Sequence, residues 1–249
     1  MAMRVASAFA LLALLTGCGS GPPTSESTIM VFAAASLKAT FTELGEQFEA
    51  ANPGTEVEFS FAGSADLVTQ LTQGATADVF ASADTKNMDK AWQAGLLAGD
   101  PVDFASNTLT IATAPGNPKR ITTFHDLTRP DTSVVVCAPQ VPCGSATENV
   151  EQATGVDLTP VSEESSVTDV LNKVTSGQAD AGLVYVTDAI GAGDKVTAVA
   201  FPESAGATNT YPIAQLKDSE NAPAAAKFVE LVTGEAGRKV LSAGGFAEP

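Results

Sequence analysis

Hydrophobic and polar positions alternate between two periods along this chain. Residues 28–33 (TIMVFA) are a short apolar run that predicts a buried strand. Residues 37–50 then take a helical period, with Leu37, Phe41, Leu44 and Phe48 on one face. Asn52-Pro53-Gly54 ends that helix, and residues 56–61 alternate as a strand does. A helix over 65–72 stops at Gly74 and leads to an apolar strand at 79–81. Further helices are predicted over 88–94, 167–175, 222–232 and 237–241, and further buried strands over 109–114, 134–137 and 182–185. Strands alternating with helices in this way predict an α/β fold with parallel sheets.

Two places break the alternation. Asn107 stands just before the strand at 109–114, and residues 201–211 are extended without a helical period. If the chain crosses between two lobes there, residues 28–107 and 209–249 form one lobe and 108–208 form a second, inserted one.

The N-terminus reads as an export signal over residues 1–17. Arg4 is followed by an apolar run at 8–15, too short to stop in a bilayer as a spanning helix. Leu15-Thr16-Gly17-Cys18 resembles a bacterial lipobox, which implies lipidation at Cys18 after cleavage. Residues 18–27 are rich in Gly, Ser, Pro and Thr and suit a lipid-anchored tether. The expected location is the outer face of the cell membrane.

Composition narrows the function. Among 249 residues, 13 Lys and Arg stand against 29 Asp and Glu, a formal net charge of −16. Nucleic acid is excluded as a partner, because phosphate backbones need a basic surface. An anionic ligand would be repelled at long range, so a local site must capture it. Hydrophobic residues at 44% supply a core, which excludes global disorder. In an oxidising compartment, Cys137 and Cys143 are expected to form a disulfide, closing a small loop. Two cysteines and the single His125 do not make a tetrahedral cation site.

Candidate chemistry lies at the helix starts. Ser36, Ser64, Pro142-Cys143-Gly144-Ser145 and Ser165-Ser166 each precede a predicted helix, the third one over 146–152. First-turn N–H groups have no acceptor within their own helix and favour an anion. Each serine taken alone is more often a simple cap. Lys38 is the one basic residue beside them. Neutral donors alone can hold a fully deprotonated tetrahedral oxyanion if they converge. A protonated phosphate needs an acceptor as well. A donor-only site therefore favours molybdate, tungstate or sulfate, provided that the four starts meet.

Val31-Phe32-Ala33-Ala34-Ala35-Ser36-Leu37, Phe61-Ala62-Gly63-Ser64, the run from Gly74 to Asp84 (GATADVFASAD), Val141-Pro142-Cys143-Gly144 and the run from Gly182 to Ala189 (GLVYVTDA) follow one another in order. Together they resemble the molybdate-binding component of ABC importers. The resemblance implies a type II periplasmic-binding-protein fold with two lobes and the anion between them. It implies that Ser36 and Ser64 donate from hydroxyl and backbone N–H, that Cys143 and Val167 donate from backbone N–H, and that Tyr185 donates from its hydroxyl. It implies molybdate or tungstate as ligand, an ABC permease as partner, no cofactor and a monomer. The family often has Ala at the position of Cys143. Asp66, two residues past Ser64, would oppose an anion if it turned inward. Asp78, Asp84 and Asp188 read as caps or turn formers.

Three other readings compete. A sulfate-type oxyanion binder shares the fold. An adhesive lipoprotein would bind no small ligand. An enzyme with Cys143 as nucleophile and His125 as base is disfavoured by the disulfide partner available to Cys143.

Overall fold

A computed structural model describes residues 27–249. The export signal, Cys18 and nearly all of the tether lie outside the described residues. Among the described residues, ten strands make two five-stranded sheets. The first sheet holds β1 (Ser27–Ala34), β2 (Thr55–Ala62), β3 (Val79–Ala81), β4 (Val102–Asn107) and β10 (Asn209–Gln215), in the order β2-β1-β3-β10-β4. The second holds β5 (Leu109–Thr113), β6 (Val134–Cys137), β7 (Ser162–Glu164), β8 (Ala181–Tyr185) and β9 (Thr197–Val199), in the order β7-β6-β8-β5-β9. Helices α1 (Lys38–Ala51), α2 (Ser64–Thr72), α3 (Thr85–Gln93), α7 (Ala222–Thr233) and α8 (Glu235–Ala243) flank the first sheet, and α4 (Pro142–Thr154), α5 (Val167–Thr175) and α6 (Val186–Ala192) the second. Among the described residues, no helix is long and apolar enough to cross a membrane.

The expectation of parallel sheets needs correction. β1 runs parallel to β2 and β3, and β6 parallel to β7 and β8, but β10 runs antiparallel to β3 and β4, and β5 antiparallel to β8 and β9. The strands β4, β5 and β10 pass the chain from one sheet to the other. They need no helical crossover, so nothing obliges them to run parallel.

Each sheet builds its own core. Phe41 and Phe48 of α1 bury the predicted face against Phe228 of α7, with ring centroids 6.0 and 5.5 Å from that ring. Burying one such ring contributes about 1.5–3 kcal/mol. The second core gathers Ile111, Val135, Val170, Leu183 and their neighbours, and Ala65 of α2 reaches into it from the first unit. The two crossings are side by side: Asn107 and Asn209 are register partners in the β4–β10 ladder. Asn107 donates from Nδ2 to Thr187 Oγ1 at 2.8 Å, and Asn209 donates to the Ala83 carbonyl at 2.9 Å. Both are buried, so the crossing is a pair of hydrogen-bonded strands rather than a loose linker.

Candidate functional site

Four helix starts reach one pocket. Its lining includes Ser36, Gly63, Ser64, Ala83, Val141, Cys143, Val167 and Tyr185, so the five residues singled out in the sequence come together. They arrive from both sheets. The local geometry differs from expectation at three of them. Ser36 lies within a 3₁₀ turn, Ala35–Leu37, that leads into α1. Ser64 is the first residue of α2, and Gly63 takes the cap position. α4 begins at Pro142 rather than at 146, because proline is suited to the first turn, and this puts Cys143 in that turn. Ser166 does cap α5, accepting the Asp169 N–H at 3.2 Å. An α-helix provides no internal acceptor for the first-turn N–H groups of Ser64, Cys143 and Val167.

The Ser64 hydroxyl is preset as a donor. Ser64 Oγ accepts the Ala83 N–H at 3.0 Å, and this leaves its own proton free to be given away. Ser36 Oγ lies 3.0 Å from Tyr211 Oη. Tyr185 is 1% exposed, and its Oη has no hydrogen-bond partner among the described residues. Burial pushes its phenol well above its ordinary range, so the group is neutral and can still donate. Leaving such a hydroxyl unpaired costs about 1–3 kcal/mol.

No charged side chain lines the pocket. Lys38 and Asp66 are exposed and line a neighbouring hollow together with Asp169. The three other acids serve the backbone. Asp78 accepts from Met30 N at 2.7 Å and Ser219 Oγ at 2.5 Å. Asp84 caps α3 through Asn87 N at 2.9 Å, and burial raises its carboxyl despite that bond. Asp188 accepts the Tyr185 N–H at 3.0 Å. Asp188 is partly buried, and burial pushes its carboxyl up to about 7.

Between the lining residues there is only about 10 Å³ for the centre of a water molecule. That is about the space that a single water molecule needs. A groove of about 510 Å³ by the same measure runs alongside, between α1, α5 and α6, but it shares only Ala35 and Ser36 with the pocket. Cys137 and Cys143 form a disulfide, with Cα atoms 5.6 Å apart. It ties the end of β6 to the first turn of α4. His125 is exposed on a 3₁₀ turn, Phe124–Thr128. Among the described residues, no cluster of three or more His, Cys, Asp or Glu is placed to hold a metal ion.

Residues 29–247 match the family described as bacterial extracellular solute-binding protein. The chain belongs to that family. A solute-binding protein of this kind at 60% identity is the molybdate-binding protein ModA of Mycobacterium tuberculosis, matched over 96% of this chain and 95% of that one. Solved structures share the two-lobed fold. The periplasmic molybdate-binding protein of Azotobacter vinelandii superposes with a TM-score of 0.78 at 23% identity, over 89% of this chain and 99% of that one. The sulfate-binding protein SubI of Mycobacterium tuberculosis superposes with a TM-score of 0.79 at 20% identity, over 89% and 87%.

Tyr211 and Gly63 were not read as site residues from the sequence. Tyr211 is one of only two tyrosines in the chain, which was the available signal. Gly63 adjoins Ser64, but its significance depends on what faces it.

Proposed function

We propose that this solute-binding protein captures molybdate, and tungstate with it, outside the cytoplasmic membrane and delivers it to an ABC permease. The observation that carries the reading is the Tyr185 hydroxyl, buried without a partner in a neutral pocket that also takes the first turns of α2, α4 and α5. A deprotonated tetrahedral oxyanion supplies acceptors for such donors and needs no donor of its own. Ser36 and Ser64 give hydroxyl and backbone N–H, Cys143 and Val167 give backbone N–H, and Tyr185 gives its hydroxyl. Each charge-assisted bond contributes about 1.5–3 kcal/mol. No carboxylate lines the pocket to accept from a protonated phosphate. The name of the 60%-identical relative favours molybdate over sulfate.

The remaining features fit a carrier. The lobes are residues 28–107 with 209–249, and 108–208, hinged at the paired Asn107 and Asn209. Capture closes the lobes, and release to the permease reopens them. The chain works as a monomer, without cofactor and without catalysis: the Cys143 sulfur is held in a disulfide and His125 stands on the surface. A lipid on Cys18 keeps it at the membrane.

Calorimetric titration of the chain beginning after Cys18 tests this, with molybdate, tungstate, sulfate and phosphate in turn. Tight molybdate and tungstate with weak sulfate and phosphate is the expected result. Tight sulfate with weak molybdate would change the ion, and no heat from any would overturn the reading.

A further inference from the structure

Gly63 caps α2 with φ −60° and ψ 139°, a conformation open to any residue. Its own backbone therefore does not call for glycine. The demand comes from the other lobe. A Cβ at position 63 would lie 2.1 Å from the Ser165 carbonyl oxygen and 3.5 Å from a Val141 methyl. Ser165 stands two residues before Val167, as Gly63 stands one before Ser64. The contact thus joins the segments that lead into two of the anion-facing helix starts, one from each lobe. Gly144 is different: its Cβ would meet Ala138 O at 2.0 Å, within the second lobe, so that glycine serves the lobe's own fold.

We propose that Gly63 is the residue that lets the cleft close, its missing side chain allowing α2 and α5 to present donors to one anion at once. This rests on the oxyanion-binding reading above. Ordinary contact begins at about 3.4 Å, so a methyl group at 63 must part the backbones by more than an ångström. The obstacle is a carbonyl of the main chain, which cannot rotate aside as a side-chain tip does. A hydrogen bond of ordinary length stretched by that much is lost. The anion would then keep Ser36 and Ser64 and lose the donors of the second lobe. Losing one charge-assisted bond already weakens binding at least about tenfold, and losing more than one about 100-fold or beyond.

Gly63→Ala and Gly63→Asn test this together. Asparagine is a preferred helix cap, so it keeps the start of α2 while its Cβ still meets Ser165. Both variants and the wild type are titrated with molybdate and measured by small-angle X-ray scattering with and without it. Both variants are expected to melt as the wild type does without ligand, to bind about 100-fold more weakly, and to show none of the contraction that molybdate causes in the wild type. Variants that bind and contract like the wild type would overturn the proposal. Variants that both unfold without ligand would overturn it too, because the contact would then serve the fold. A wild type that binds no molybdate would overturn the binding reading itself, and this inference with it.

Discussion

Tyr211 Oη and Ser36 Oγ lie 3.0 Å apart, joining the strand that returns from the second lobe to the turn that precedes α1. Tyr211 is fully buried, and burial raises its phenol far above the ordinary range, so it is a neutral hydroxyl. Either oxygen can donate in this pair, and when Tyr211 donates the Ser36 proton is left for another acceptor. A strand at the crossing between the sheets thus holds the hydroxyl of a pocket residue.

Removing that hydroxyl leaves Ser36 free to turn. Tyr211→Phe is expected to keep the fold and weaken molybdate binding about fivefold, the worth of one neutral hydrogen bond of ~1 kcal/mol. Titration calorimetry of variant and wild type measures it.

Tyr185→Phe should move stability and affinity in opposite directions. The ligand-free protein loses an unpaired buried hydroxyl, so its unfolding free energy is expected to rise by about 1 kcal/mol. Molybdate binding loses a charge-assisted donor and is expected to fall by about 10- to 100-fold. Chemical denaturation without ligand, beside a titration, reads both signs. A variant that is less stable without ligand would contradict the reading of Tyr185 as an unpaired donor.

Ser64 serves the fold and the ligand together. Ser64→Ala removes the acceptor of the Ala83 N–H in a buried place, which is expected to cost about 1–3 kcal/mol of stability without ligand. It also removes a donor from the anion. Ser64→Ala should therefore lose both, unlike Tyr185→Phe. Thermal melts with and without molybdate separate the two losses.

Asp188 gives a pH dependence of defined sign. Burial pushes its carboxyl up to about 7 in the folded protein, whereas an unfolded aspartate titrates near 4. Between those values the folded state holds the proton more firmly. The stability tied to that proton is full below about pH 4, is lost as pH rises, and stays lost above about 7. Asp188→Asn keeps an acceptor for the Tyr185 N–H and removes the titration. Stability of the variant minus that of the wild type should thus rise from pH 5 to pH 8, by on the order of 1 kcal/mol. Denaturation at a series of pH values checks this, and a flat difference would contradict it.

Short-range signals were legible in the sequence and long-range ones were not. The buried face of α1, the strand at 134–137 and the serine that caps α5 each follow from neighbours within a turn or two. Strands β7 and β9 have three residues each, too few to show a period. α6 follows directly on β8, and the apolar run of the strand masks it. The five pocket residues were legible through local motifs, but their meeting depends on the two crossings. Tyr211 bonds Ser36 across a separation of 175 residues. The constraint on Gly63 comes from Ser165 in the other lobe. Neither partner leaves a mark in the adjoining sequence.

The central claim is that neutral donors from both lobes meet on one oxyanion. A crystal structure of the molybdate complex tests it most directly, with molybdenum located by its anomalous scattering. The expected result is one strong peak enclosed by Ser36, Ser64, Cys143, Val167 and Tyr185, with anion oxygens at hydrogen-bond distance from donors of both lobes. A peak held by one lobe alone, or one in the groove between α1, α5 and α6, would contradict it.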